Sequence, residues 1–513
     1  MSAVLKVEAV SDEASGQTIA EVLGAYAANF RYEDIPGAVL EQARYILLDG
    51  IGIAFASTNF EFAQRAYSAL GGAEGEGGGT VIGMSGKLPM RDAVMMNSML
   101  VHGLDFDDTF FAGGIHPTAS CFPSALGVAE RTGASGKDLL TAYVLGMEVV
   151  TRVAGVAQGS LNQGGLHPSS MLGGFAGAVT AGWLTGLNSH QMAMAQGIAL
   201  GMAAGTLESL VDGSWTKRIQ PGWAAASGIT AARLARQGFI GAKAVYEGRF
   251  GLYPAHMGAR AAECDYSAAT RELGTSWNLL QVALKPYPAC HAAQAVIQAA
   301  ITLSRETGVK AEEIASITAI VPPQYVALVC EPIERKRRPD SMYGAQFSIP
   351  YTAACSLING RFGLAQIQDA ALRDARTLAL AQKVSYQVDT QFTVAQFKTS
   401  RPAELVIKTN DGRTLSHKVE RLTGSPDRPM THDEIIAKFM DNAGSVMSSC
   451  ARPRATTSQL AKARAMKWAS WPAAPVTSMI GGLMRDAVPA GPAPSAEQFS
   501  KDTLFLKDTN EAA

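Results

Sequence analysis

Between Val153 and Leu207 the chain carries no Asp, Glu, Lys or Arg. So long a stretch without formal charge belongs away from water, in a bilayer or in a protein core. A membrane-spanning helix needs about 20 predominantly apolar residues in one run. Here the run is broken by Asn162-Gln163-Gly164-Gly165, by His167-Pro168 and by Asn188-Ser189-His190-Gln191. Its residues are mostly Ala, Gly, Ser and Met rather than Leu, Ile and Val. The stretch therefore reads as two or three helices buried on all sides of a large helical domain, where small residues allow close approach. A buried dimer interface would draw on the same composition.

A chain of 513 residues exceeds one ordinary core, so two domains are expected. With 47% hydrophobic and 17% charged residues it can bury a large core, which argues against disorder. A net charge of −1 leaves no basic footprint for nucleic acid. The six cysteines form no CxxC pair and read as reduced thiols of a cytoplasmic protein. The N-terminal residues lack the basic-then-apolar pattern of a secretory signal.

Periodicity predicts helices through most of the first two-thirds: 16–30, 34–56, 94–104, 136–156, 169–187, 189–211, 224–237 and 241–247. The glycine-rich segment 71–79 leads to an expected short strand at 80–82. Gly86-Lys87 follows, but Leu88 stands where a phosphate loop needs Ser or Thr, so the segment reads as a plain loop. After Lys285-Pro286-Tyr287-Pro288 the pattern changes. A helix at 291–307 precedes expected strands at 314–321, 384–388, 392–397 and 403–408. Asn410-Asp411-Gly412 signals a hairpin to a strand at 415–419, and Thr431 with Glu434 signals a capped return to helix. The expected class is mainly α: a large helical domain from 1–285 and 426–472, an inserted α+β domain at 286–425, and an irregular tail at 473–513.

One cluster stands out for chemistry. His102-Gly103-Leu104-Asp105-Phe106-Asp107-Asp108-Thr109, with His116-Pro117 shortly after, puts three carboxylates, a hydroxyl and two imidazoles beside an apolar helix. Groups held against a low-dielectric wall are those whose pKa values can move toward neutrality. Four further constellations accompany it: Gly164–Pro168 with His167, Asp212–Arg218 with Lys217 and Arg218, Lys285–His291, and Tyr343–Tyr351. Lys217, Arg218 and Lys285 are fixed positive charges suited to carboxylates. His116 and His167 can move protons near neutral pH, and Thr109 and Tyr351 can donate hydrogen bonds. Together they fit proton abstraction α to a carboxylate and stabilisation of the enediolate. Singly, each has a plainer reading: a turn histidine, a solvated helix end, a core tyrosine, a capping aspartate. Metal binding is disfavoured, because no HxxxH occurs and the His417/Glu420 pair falls on opposite faces of a strand.

The ordered series HGLDFDDT…IHP, GGLHPSS, DGSWTKRIQPGWAAASG, GRFGLY, KPYPAC and AQFSIPY closely resembles the MmgE/PrpD family over about 20–440. That family includes 2-methylcitrate dehydratase, cis-aconitate decarboxylase and iminodisuccinate epimerase. The resemblance implies a large helical domain, a smaller α+β lid and usually a homodimer. It also implies metal- and cofactor-independent chemistry on small di- or tricarboxylates in a cleft between the domains. It carries the family's active-site positions onto Asp105, Thr109, His116, His167, Lys217, Lys285 and Tyr351. On these positions the expected roles are His167 as a principal acid/base, with His116 and Tyr351 as proton-transfer partners. Lys217 and Lys285 hold carboxylates, and Asp105 with Thr109 orients its neighbours. Two positions depart from the pattern: Phe110 follows the DDT triplet, and Gln294 stands four residues after Cys290, where many relatives carry His. These departures bear on the substrate, which they make less polar or smaller. The leading expectation is a lyase dehydrating a 2-methylcitrate-type acid. Decarboxylation of a cis-aconitate-like acid comes next, then epimerisation of an iminodicarboxylate. A carboxylate-binding protein without catalysis is the alternative of another class.

Overall fold

The computed structural model describes residues 16–71, 78–391 and 401–447. It is mostly helical, with a four-stranded sheet in the C-terminal region. The Pro168–Leu184 helix lies at the centre of the helical part, packed against Thr118–Thr132, Gly136–Val156, Ser189–Leu200 and Thr216–Arg236. All but its last two residues are buried, as expected for a helix drawn from the charge-free stretch. Glycines set its spacing: a Cβ on Gly177 would lie 2.9 Å from the Ala225 carbonyl oxygen of the neighbouring helix. Gly136–Val156 has the length and apolar character of a membrane span, yet 94% of its most apolar window is buried inside the protein.

Several expected elements shift. The helix expected at 189–211 ends at Leu200, and a single turn follows at Ser209–Asp212. The helix expected from 224 begins at Thr216 and runs through Pro221 to Arg236. No helix forms at 241–247; those residues make turns, because Gly241 packs backbone to backbone against Gly197 and Ile198. The strand expected at 80–82 shortens to Gly79–Thr80, paired with Lys87–Leu88. The strand expected at 392–397, most of the glycine-rich segment and the tail lie outside the described residues.

In the sheet, Ile314–Val321 runs parallel to Val384–Val388 and antiparallel to Ala403–Thr409, which pairs in turn with Thr414–Val419. The hairpin turns at Gly412, whose φ of 88° suits glycine. The His291–Thr307 helix covers the sheet and packs against Ile349–Asn359. The capped helix His432–Met447 returns to pack on Gly37–Ser57, where Lys438 is paired with the buried Asp49 at 2.8 Å.

Candidate active site

The segment 103–109 leaves the end of the Met90–His102 helix and closes in a two-residue strand, Thr109–Phe110, paired with Val282–Ala283. That pairing brings Lys285, two residues further on, against Asp105. Lys285 Nζ donates to the Asp105 carbonyl oxygen at 2.7 Å and to Oδ2 at 3.0 Å, while Lys217 Nζ donates to Oδ1 at 2.5 Å. Asp105 has a φ of 49°, a conformation that costs a non-glycine residue on the order of 1 kcal/mol. The two ammonium groups fix it there. Burial pushes the Asp105 carboxyl up, but the lysines outweigh that and hold it well below the usual carboxylate range. Burial likewise pulls Lys217 down, and Asp105 more than restores it, so its ammonium stays charged.

Arg218 adds a third cation from the first turn of the Thr216–Arg236 helix. Its Nε donates to the Gly103 carbonyl at 2.8 Å. Its guanidinium lies between the Phe62 and Tyr343 rings, 4.5 and 4.8 Å from their centroids. Both terminal nitrogens are buried and have no hydrogen-bond partner. A buried guanidinium fork without acceptors is shaped for a carboxylate.

Four imidazoles face this cationic group. Asp107 accepts from His102 Nδ1 at 2.7 Å and lies 3.6 Å from His116 Nδ1. His116 Nδ1 is 2.8 Å from the Asp108 carbonyl, an acceptor, so Nδ1 carries the hydrogen. His291 Nδ1 meets the Thr109 hydroxyl at 3.0 Å. His167 stacks beside His102 at 5.6 Å, and its Nδ1 lies 2.7 Å from Gln220 Oε1. Gln220 spends its amide N–H on the Thr206 carbonyl, so Oε1 accepts and His167 Nδ1 donates. His167 Nε2 therefore holds the lone pair in the neutral ring. The Nε2 atoms of His102, His167 and His291 are all buried without partners. Burial holds all four imidazoles well below the ordinary histidine value, with Lys217 or Lys285 adding to the effect at each. Nearby, burial and Asp107 push the Asp108 carboxyl up, and it takes hydrogen bonds from Thr118 at the head of the next helix.

Seven of the eight residues singled out from the sequence thus meet: Asp105, Thr109, His116, His167, Lys217, Arg218 and Lys285. Tyr351 does not join them. Ser348 caps a new helix with Pro350 in its first turn, and this carries the Tyr351 hydroxyl onto the Gln366 carbonyl at 2.8 Å. Tyr343, from the start of the same motif, stands beside Lys217 and Arg218 instead. Sequence reasoning counted His102, Asp107 and His291 in its motifs without giving them a role, and it passed over Gln220. His102 and Asp107 were visible in the motif itself, and His291 adjoins Cys290; Gln220 had no signal beyond its place after Lys217-Arg218. Gln294 is a clip rather than a lost imidazole, donating to the Tyr287 and Ala289 carbonyls at 2.8 and 2.9 Å. Phe110 pairs with Val282 behind the site.

Two family models account for most of the chain. The MmgE/PrpD N-terminal domain matches residues 21–265, and the MmgE/PrpD C-terminal domain matches 287–462. The chain belongs to the MmgE/PrpD family. Among its relatives is a cis-aconitate decarboxylase-like protein of Aspergillus oryzae, 26% identical over 86% of this chain and 93% of that protein. The cis-aconitate decarboxylase of Aspergillus terreus is 28% identical over 86% and 92% of the two chains. That of Homo sapiens is 26% identical over 80% and 84%. Family and relatives together make this MmgE/PrpD protein a lyase.

Proposed function

We propose that the protein decarboxylates a small unsaturated tricarboxylate of the cis-aconitate type. The observation that carries this is the charge balance of the buried site. Lys217, Lys285 and Arg218 face two carboxylates, Asp105 and Asp107, which leaves one positive charge uncompensated. Buried charge without a partner is costly, so the site favours an anion. The names of the relatives favour loss of carbon dioxide over loss of water, and decarboxylation displaces dehydration as the leading reading.

The chemistry follows from the two ends of the site. Carboxylates of the acid pair with the Arg218 guanidinium and with the lysines. The C–CO₂⁻ bond at the methylene carbon breaks, and its electron pair forms a new double bond to the central carbon. The pair of the original double bond moves to the far carbon, where the adjoining carboxylate spreads the charge under the cations. A proton from an imidazolium then bonds to that carbon. The products are carbon dioxide and a methylidene diacid. His167 is the proposed donor, since its Nδ1 is fixed by Gln220 and its Nε2 is unpartnered. Burial holds the imidazoles below their ordinary value; an arriving trianion raises their pKa and charges one of them. His116, whose side chain is 14% exposed, returns protons from solvent.

Three further readings belong to this proposal. The unit at 286–425 acts as a lid, because the unpartnered nitrogens are buried and an acid enters only if something lifts. Two copies pair through the exposed row of Trp215, the N-cap of the Thr216–Arg236 helix, with Ile219 and Trp223 on it, spaced by four residues. The protein works in the cytoplasm without cofactor or metal. His102, Asp107 and His116 do have metal-ligand spacing, their ligand atoms lying within 4.8 Å of one another. The His102–Asp107 hydrogen bond, the hydrogen bond of His116 to the Asp108 carbonyl and the adjacent cations suit a proton network better than a divalent ion.

The test is an NMR-monitored screen of cis-aconitate, citrate, methylcitrate and iminodisuccinate with and without chelator. The expected result is chelator-resistant carbon dioxide release from cis-aconitate with one solvent deuteron in the product. Water loss from methylcitrate without decarboxylation would restore the dehydratase reading.

A further inference from the structure

The turn 103–108 joins the two ends of the site, and side chains from other elements hold its carbonyls. The Gly103 carbonyl accepts from Arg218 Nε at 2.8 Å, and that of Leu104 accepts from the Gln346 amide. The Asp105 carbonyl accepts from Lys285 Nζ at 2.7 Å, and that of Asp108 from His116 Nδ1 at 2.8 Å. The Phe106 carbonyl accepts from Lys438 Nζ at 3.0 Å, a donor 332 residues further along the chain. Arg218, Lys285 and His116 belong to the site itself. Lys438 comes from the His432–Met447 helix, which packs on Gly37–Ser57.

The Lys438 ammonium is buried between two kinds of acceptor. Its Nζ lies 2.8 Å from Asp49 Oδ1 and 3.0 Å from Oδ2, and 3.7 Å from the centroid of the Phe106 ring. The Asp49 pair is enough to dock the helix. The Phe106 contact has a different consequence. A peptide unit is planar, so a fixed Phe106 carbonyl also fixes the nitrogen of Asp107. Asp107 in turn accepts from His102 Nδ1 at 2.7 Å and lies 3.6 Å from His116 Nδ1. We propose that Lys438 is a positioning residue of the reaction: through the Phe106 carbonyl it aims the Asp107 carboxylate at His102 and His116. Its effect on turnover rests on the polycarboxylate reading; its effect on the imidazoles does not.

The test separates docking from positioning. Lys438→Met alone leaves Asp49 buried without a partner and is expected to lose stability. Adding Asp49→Leu replaces the ion pair by hydrocarbon and is expected to return Tm to near the parent's. In this double variant kcat for carbon dioxide release from cis-aconitate is expected to stay roughly 10²-fold below the parent's. KM should change little, because Lys217, Lys285 and Arg218 are untouched. A second readout needs no substrate: NMR of histidine-labelled protein follows the His102 imidazole N–H proton that Asp107 accepts. Its signal is expected to move upfield in the double variant. An unmoved signal overturns the proposal whatever kcat does, because the effect then does not pass through Asp107. A kcat within a factor of two of the parent's overturns it as well, and leaves Lys438 as a dock for the helix alone. If the parent releases carbon dioxide from none of the acids, the polycarboxylate reading fails, and the imidazole signal by itself decides the positioning.

Discussion

The ammonium end of the site and its imidazole end share the segment 102–109 but are closed in different ways. At the first, Asp105 locks Lys217 and Lys285 into place through three short contacts, so charge and geometry are fixed before any ligand arrives. At the second, each imidazole is held at Nδ1 alone; Nε2 is unpartnered in three of the rings, and all four are kept neutral by burial. One end is built to hold charge and the other to change it. The difference suits a reaction that binds several carboxylates and moves one proton.

Breaking the ammonium end is expected to have the largest effect. Lys285→Met leaves Asp105 strained and short of a cation, and removal of one partner of a buried pair costs about 3–5 kcal/mol. Chemical denaturation should show that loss together with loss of activity; a variant of unchanged stability would mean that Asp105 does not depend on Lys285. At the other end His167→Ala should lower kcat roughly 10²–10⁴-fold while the fold is kept, as read by circular dichroism and steady-state kinetics. Turnover within a factor of two of the parent would remove His167 from the chemistry.

The two ends also predict a pH dependence. Unfolded imidazoles take up protons below about 6.5, whereas the four buried ones do not. Unfolding therefore binds protons, and stability falls as pH drops from about 6.5. Asp108, Asp49 and Glu148, whose carboxyls burial pushes up, oppose this slope with three groups against four. Asp105, held well below its ordinary value of 3.8, adds a second loss only below that pH. Scanning calorimetry between pH 7.5 and 5 should show Tm falling across this range, roughly from the ordinary histidine value downward; a flat profile would mean that the imidazoles are charged in the fold.

The smallest contrast separates the two tyrosines. Tyr351→Phe removes a hydrogen bond to the Gln366 carbonyl and should cost about 0.5–1.5 kcal/mol of stability with kcat unchanged. Tyr343→Phe should leave stability nearer the parent's and alter KM or kcat. The reverse pattern would return Tyr351 to the site.

Much of the helical part was legible because its signals are local. The charge-free stretch, the 3.6-residue stripes, the Thr431–Glu434 capping box and the Asn410-Asp411-Gly412 turn each act within a few residues, and most formed as read; the stripe at 189–211 stopped at Leu200, that at 241–247 made turns, and that expected from 224 began at Thr216. The stripe at 241–247 failed for a tertiary reason: Gly241 meets the backbone of Gly197 and Ile198 on the Ser189–Leu200 helix, which fixes turns where the pattern alone suggested helix. The site was legible where a motif supplied both the group and its partner, as in 102–109. It was missed where the partner lay on another element, as with Gln220 on His167 and His291 on Thr109.

The sequence by itself determined which groups were at hand: three cations, a carboxylate-rich segment and several imidazoles, each in a short motif beside apolar helices. The fold alone decided their pairing. Asp105 stands between two lysines because a two-residue strand at Thr109–Phe110 finds Val282–Ala283 far along the chain. Tyr343 rather than Tyr351 faces the cations because a helix break at Phe347 and Ser348 reorients the second tyrosine. Side-chain chemistry is a local property, whereas burial and charge neighbours are set by long-range contacts, and those contacts fix the pKa values on which the reaction depends.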